Sequence, residues 1–208
     1  EAQVYLDAAA QCILALPAEA RARVCAVALT TQGETLLCVD RQGKALRPAI
    51  VWLDSRAEAQ AARLAAALDR QRFYERTGLP ELSGALPLAK LLWLRQQEPE
   101  SWARTDKFLL LEDYLMLWLT GRAVTEKSLL TSTGYFDLQS DDYWDEALAL
   151  AELDRTRLPQ ALACGSIVGP VLPEVAEALG LPASACVVTG AMEVHDGFNA
   201  IGSCVKKE

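Results

Sequence analysis

The sequence predicts an α/β lobe carrying a helical insertion, and three observations lead there. A short, almost wholly apolar run, Val24-Cys25-Ala26-Val27-Ala28-Leu29, has the length and composition of a buried central strand. Strand and helix patterns alternate around it, while the middle third of the chain is mainly helical. No internal repeat or low-complexity linker divides the 208 residues, a length that buries a substantial core.

Taken in order, a helix pattern fills residues 1–16 and stops at Pro17. The strand at 24–29 follows, then polar residues 30–35, then Leu36-Leu37-Cys38-Val39-Asp40 as a second strand with a turn at Gly43. Ile50-Val51-Trp52-Leu53-Asp54 reads as a third strand. Ser55, with Glu58 three residues on, has the form of a capping box opening a helix over 56–70. Pro87 is placed to begin the next helix. Further helices are expected over 112–119, ended by Gly121, over 142–150, and over 173–179, ended by Gly180. Val187-Val188-Thr189-Gly190 is a late strand running into a loop.

Charge and apolar patterning exclude whole classes of partner. Net charge is −8, and the basic residues are scattered apart from Lys206-Lys207. Nucleic acids and anionic membranes need clustered Lys and Arg, so neither is expected to bind. No apolar run is long enough to span a bilayer, since Glu112 and Asp113 interrupt the longest. The first residues carry no basic stretch of the signal-peptide kind, and a cytoplasmic location is expected. Of the six cysteines (Cys12, Cys25, Cys38, Cys164, Cys186 and Cys204) none forms a C-x-x-C pair, which reads as reduced core residues and no metal site.

Three segments have the residue types for chemistry. Thr30-Thr31-Gln32-Gly33-Glu34-Thr35 follows a strand, where open α/β sheets hold ligands, and Gln32 and Glu34 suit hydroxyl groups; a plain hydrophilic turn is the alternative. Trp52-Leu53-Asp54-Ser55-Arg56 sets an aromatic plate beside an acid and a guanidinium, a combination that holds polyols. Its alternative is a core tryptophan next to a local Asp54–Arg56 ion pair. Gly190-Ala191-Met192-Glu193-Val194-His195-Asp196-Gly197 offers two carboxylates, either able to take a proton from a substrate hydroxyl, and the chain's one histidine. No P-loop, Ser/His/Asp spacing or metal-ligand cluster is present.

In this order the segments resemble the FGGY carbohydrate kinases, of which xylulokinases and glycerol kinases are members. Thr31-Gln32-Gly33-Glu34-Thr35 is similar to the polyol motif that reads N-Q-R-E-T in glycerol kinases and G-Q-M-H-G in xylulokinases. Residues 46–56, LRPAIVWLDSR, resemble L-R-P-A-I-x-W-x-D-x-R. Residues 87–94 (PLAKLLWL), 113–121 (DYLMLWLTG), Thr125-Glu126 and 131–137 (TSTGYFD) continue the set in the family's order.

The resemblance implies an actin-like ATPase, ribonuclease-H-like fold. Residues 1–202 would be the N-terminal sugar-binding lobe, with first strands missing and 203–208 a tail. It implies a soluble sugar kinase using MgATP, with Glu193 as general base and Gln32, Glu34, Trp52, Asp54, Arg56, Asp113 and Asp196 at the sugar. A homodimer is compatible with it. Three departures follow. The phosphate loop D-x-G-T-x-[ST] would stand before Glu1, the ATP lobe would follow Gly202, and the usual aspartate of the third motif is Glu193 here. Gly33 replaces the arginine of glycerol kinases, and the tyrosine that follows their T-G-L-P is missing near Gly84. A pentulose, hexulose or sugar acid is therefore expected in preference to glycerol. The competing expectation is a truncated, non-catalytic protein that binds sugar or a partner; a hydrolase using Asp196 and His195 is a third.

Overall fold

The computed structural model of the chain describes residues 1–192. Its strands are β1 (Ala26–Thr31), β2 (Leu36–Val39), β3 (Lys107–Leu110), β4 (Val124–Glu126), β5 (Phe136–Asp137), β6 (Asp142–Tyr143), β7 (Gln160–Leu162), β8 (Ile167–Pro170) and β9 (Cys186–Met192). β1 and β9 run parallel, with Ala26 opposite Cys186 and Thr31 opposite Met192, and β8 lies antiparallel on the far side of β9. The carboxyl ends of β1 and β9 therefore finish side by side, the position at which parallel sheets present ligand-binding loops.

The β1–β9 register slips between Ala28 and Thr30. Gly190 makes this possible: a Cβ there would stand 1.4 Å from the Leu29 carbonyl oxygen. The expectation of a buried central strand is corrected for β1. Ala28 and Thr30 are exposed, and among the described residues its one strand neighbour is β9.

β2 and β3 form an antiparallel pair buried on both faces. Side chains alternate across a strand, so one pair can close two cores. Leu36, Cys38, Phe108 and Leu110 face the larger core, built on helix Pro87–Gln97. Leu37, Val39 and Leu109 face another, which includes Tyr114 and Leu115 of helix Leu111–Thr120. A third cluster joins Met116 and Leu119 to Val168, Val187 and helix Pro173–Leu179.

Local signals placed several elements correctly. Pro87 opens its helix, Gly121 ends Leu111–Thr120 in the left-handed conformation, and helix Pro173–Leu179 stops at Gly180. Others are corrected. The helix expected over 56–70 is Glu58–Ala67, followed by a separate helix Arg70–Thr77 capped by Asp69, which accepts from the Arg72 N–H at 2.8 Å. Ser55 does not cap it, because the helix begins at Glu58 and Ala57 holds the capping position, and the backbone at Gly84 lies over that helix start. A Cβ on Gly84 would fall 2.6 Å from the Glu58 nitrogen and 2.8 Å from the Ser55 oxygen. The strand expected over 50–54 shrinks to one bridge, Ile50 to Leu36, before the chain turns. The helix expected over 142–150 is Asp145–Leu150, since Asp142 and Tyr143 pair with β5. The reading of the cysteines as core residues holds for buried Cys38, whereas Cys12, Cys25 and Cys164 are exposed.

Candidate functional site

Beyond β1 the chain turns sharply over residues 32–35. Glu34 takes φ 65°, the left-handed region that a non-glycine residue enters at a cost of roughly 1–3 kcal/mol. Gly33 packs closely, since a Cβ would lie 2.7 Å from Ser132 Oγ and 2.9 Å from Met192 Sδ and either side-chain end would have to move to admit it. The turn is thereby pressed against the end of β9, whose Met192 N–H donates to Ser128 Oγ at 3.0 Å.

Thr35 joins this turn to the second motif. Fully buried, its hydroxyl oxygen accepts from Gln32 Nε2 at 3.0 Å and from the Trp52 N–H at 3.1 Å. One residue further on, Leu36 and Ile50 exchange backbone hydrogen bonds of 2.9 Å. Two polar segments separated by some twenty residues of sequence thus share one frame.

Trp52 keeps 38% of its surface exposed, which removes the reading of it as a core residue. Arg56 forks onto Asp54 with contacts of 2.6–2.9 Å, and its guanidinium carbon lies 4.9 Å from the centre of the Trp93 ring. The ion pair expected as the alternative is therefore present beside an exposed tryptophan. Hydrogen bonding from Arg56, opposed by burial, holds the Asp54 carboxyl below its ordinary value. A carboxylate and a guanidinium locked together keep donors and acceptors at fixed positions, which suits vicinal hydroxyls.

Beneath the two segments lies Lys90, fully buried on helix Pro87–Gln97. Its ammonium donates to the carbonyl oxygens of Glu34 and Val51, both at 3.0 Å. Burial pulls its pKa down to about 8, with Glu34 and Asp54 opposing and Arg56 adding to the shift. Burial also raises the Glu34 carboxyl above its ordinary value, against the pull of Lys90 and a hydrogen bond from Ser132.

Of the residues the sequence singled out, Gln32, Glu34, Trp52, Asp54 and Arg56 come together here. Asp113 takes a different part from the one expected. It is buried in the first turn of helix Leu111–Thr120, where Oδ2 accepts from the Leu110 N–H at 2.7 Å, a capping role that leaves it no open face for a sugar. Glu193, His195 and Asp196 lie outside the described residues, which end at Met192 beside Gly33. Thr35, Lys90, Ser128 and Ser132 were not picked out as site residues. The signal for Lys90 was a lone charge inside the apolar stretch PLAKLLWL.

Polar residues follow β1 at its carboxyl end, and the Thr35 hydroxyl ties them to a second turn that bears an exposed tryptophan and a carboxylate–guanidinium fork, an arrangement of the class of ligand-binding α/β lobes. Residues 1–200 match the N-terminal domain of the FGGY family of carbohydrate kinases, and the chain belongs to that family. Its mixed α/β architecture is the family's actin-like ATPase fold. Over 171 residues it is 37% identical to the xylulose kinase of Escherichia coli, covering 82% of this chain and 33% of that protein. It is 27% identical over 182 residues to the gluconokinase of Bacillus subtilis, covering 86% and 35%. The crystal structure of xylulose kinase from Rhodospirillum rubrum superposes with a TM-score of 0.78 at 29% identity, over 82% of this chain and 35% of that one. The chain spans about a third of the length of the curated relatives it matches.

Proposed function

We propose that this chain is the sugar-binding lobe of an ATP-dependent kinase that phosphorylates a hydroxyl of a pentulose, a hexulose or a sugar acid. The observation that carries the reading is the meeting of two polyol-type segments, 32–35 and 52–56, on the Thr35 hydroxyl at the mouth of the β1–β9 sheet. The names of its relatives, xylulose kinases and gluconokinases, narrow the sugar in the same direction. Trp52 supplies an apolar plate for the C–H face, while Asp54, Arg56, Gln32 and Glu34 address hydroxyls. Glu193 takes the proton of the hydroxyl that is phosphorylated, a role worth about 10²–10⁴ in rate. MgATP, the co-substrate in this reading, supplies the phosphoryl group.

Calorimetric titration of the chain with xylulose, gluconate and glycerol tests the proposal. Saturable binding of xylulose or gluconate, with glycerol much weaker, is the expected result; no binding of either would overturn it. In a form of the protein that turns over, E193Q should bind the sugar within about threefold of the parent while ADP formation falls by two orders of magnitude or more. A loss of that size in D196N, with E193Q still active, would move the base to Asp196.

A further inference from the structure

Lys90 has a role that the sugar-binding reading does not use. Buried amines rarely stay charged without a carboxylate in direct contact, yet the two recorded hydrogen bonds of this ammonium go to main-chain carbonyls. Those carbonyls belong to Glu34, whose backbone is in the left-handed region, and to Val51, which precedes Trp52 in a turn. The Val51 carbonyl also accepts from the Asp54 N–H at 3.0 Å, so Lys90 adds to a turn that is already closed there, while at Glu34 it holds a carbonyl where the loop departs from regular structure. We infer that Lys90 is a positioning residue: its ammonium clamps the 32–35 turn and the 51–56 turn into one rigid sugar-facing frame. The inference rests on the sugar-binding reading for its consequence and on geometry alone for the clamp itself.

The charges that face Lys90 come from both clamped segments. They are the carboxyls of Glu34 and Asp54, which favour the ammonium, and the guanidinium of Arg56, which disfavours it. Asp54 is already engaged by Arg56, and Glu34 lies against Ser132. Deprotonation would leave an amine still able to reach both carbonyls, but without the charge that strengthens those bonds. The clamp should therefore loosen as pH rises through about 8, while the cores on either side of β2 and β3 stay as they are.

Hydrogen exchange and sugar titration on the full 208-residue chain separate the clamp from its consequence. In K90M, exchange of the Thr35, Trp52 and Asp54 amides should accelerate at least tenfold, with the amides of β2 and β3 unchanged. Affinity for xylulose or gluconate should fall at least tenfold. K90R, which keeps a charged donor, should recover part of both. In the parent, protection of the same three amides, corrected for intrinsic exchange, should drop severalfold between pH 7 and 9.5 and stay flat in K90R. Exchange at these amides within twofold of the parent in K90M, or acceleration spread evenly over the chain, would overturn the clamp. If K90M does not fold, the pH series on the parent decides: protection at the three amides that tracks β2 and β3 would overturn it. Should the parent bind no sugar, the sugar-binding reading fails, and the exchange measurements still decide on Lys90.

Discussion

At the scale of single residues the site depends on side chains that hold other groups still. The Thr35 hydroxyl accepts from Gln32 and from the Trp52 backbone at once, so it fixes the plate and the hydroxyl-seeking amide relative to one another. Trp52 itself can be removed without disturbing that frame, because its contact with Thr35 is made by the main chain and its residue is already 38% exposed. On the proposed reading, W52A should weaken sugar binding about tenfold, the worth of one well-placed aromatic contact. Its stability should stay within about 1 kcal/mol of the parent. Calorimetry and chemical denaturation on the same sample would check both. An unchanged affinity would show that the ring does not touch the sugar.

At the scale of elements, two features of β9 and its neighbours carry predictions. G190A puts a methyl group onto the Leu29 carbonyl of β1, and backbone facing backbone leaves no side chain to swing aside. A loss of about 3 kcal/mol or more is expected, visible as a lower denaturation midpoint. The second feature is Glu112, buried in the first turn of helix Leu111–Thr120, where Oε1 accepts from the Gly190 N–H at 3.3 Å. Burial first, then the charges of Asp113 and Glu126, push its carboxyl up to about 9 against the pull of that N–H. The fold therefore holds a proton that the unfolded chain releases above about pH 4.5. Stability contributed by this group is complete below that pH and is lost as pH rises through 9, with a slope approaching 1.4 kcal/mol per unit. E112Q keeps an acceptor and removes the titration, so the fall in melting temperature between pH 6 and 8.5 should become shallower. An identical slope in parent and variant would sink the idea. Asp113, also raised, to about 7, is left in both and accounts for a remaining slope.

These elements also show what could be seen in the sequence. Pro87, Gly121 and Gly180 punctuate their helices through local backbone chemistry, and a local pattern is enough to find them. Residues 50–54 looked like a strand because Ile, Val, Trp and Leu fit a pleated surface. The structure bends them instead: the Val51 carbonyl accepts from Lys90, reached from a helix some forty positions away, and from the Asp54 N–H. The same distance hides the clamp. Gln32, Trp52, Asp54 and Arg56 have side chains whose chemistry suggests sugars from type alone, whereas Lys90 acts on main-chain oxygens that no residue type reveals. Asp113 misled in the opposite sense, since an acid in a motif can cap a helix as readily as bind a ligand.

At the scale of the whole molecule, β1 decides how the chain behaves on its own. Among the described residues it pairs on one side with β9 and has no strand on its other edge, while Val27 and Leu29 pack against the cores and Ala28 stays exposed. The unpaired N–H and C=O groups of such an edge pair readily with another chain. The net charge of −8 works against that, because two copies repel one another. Salt shifts the balance: at about 0.5 M the screening length falls well below the 10 Å of 0.1 M, and the repulsion weakens while edge pairing does not. Light scattering on the 208-residue chain should therefore show a mass that rises with protein concentration, and more steeply in high salt. A28K, which sets a charge on the exposed edge without entering either core, should hold the mass at the monomer value under the same conditions. A parent that stays monomeric in high salt would mean that this edge is not available for pairing, and equal association of parent and A28K would place the contact elsewhere on the surface.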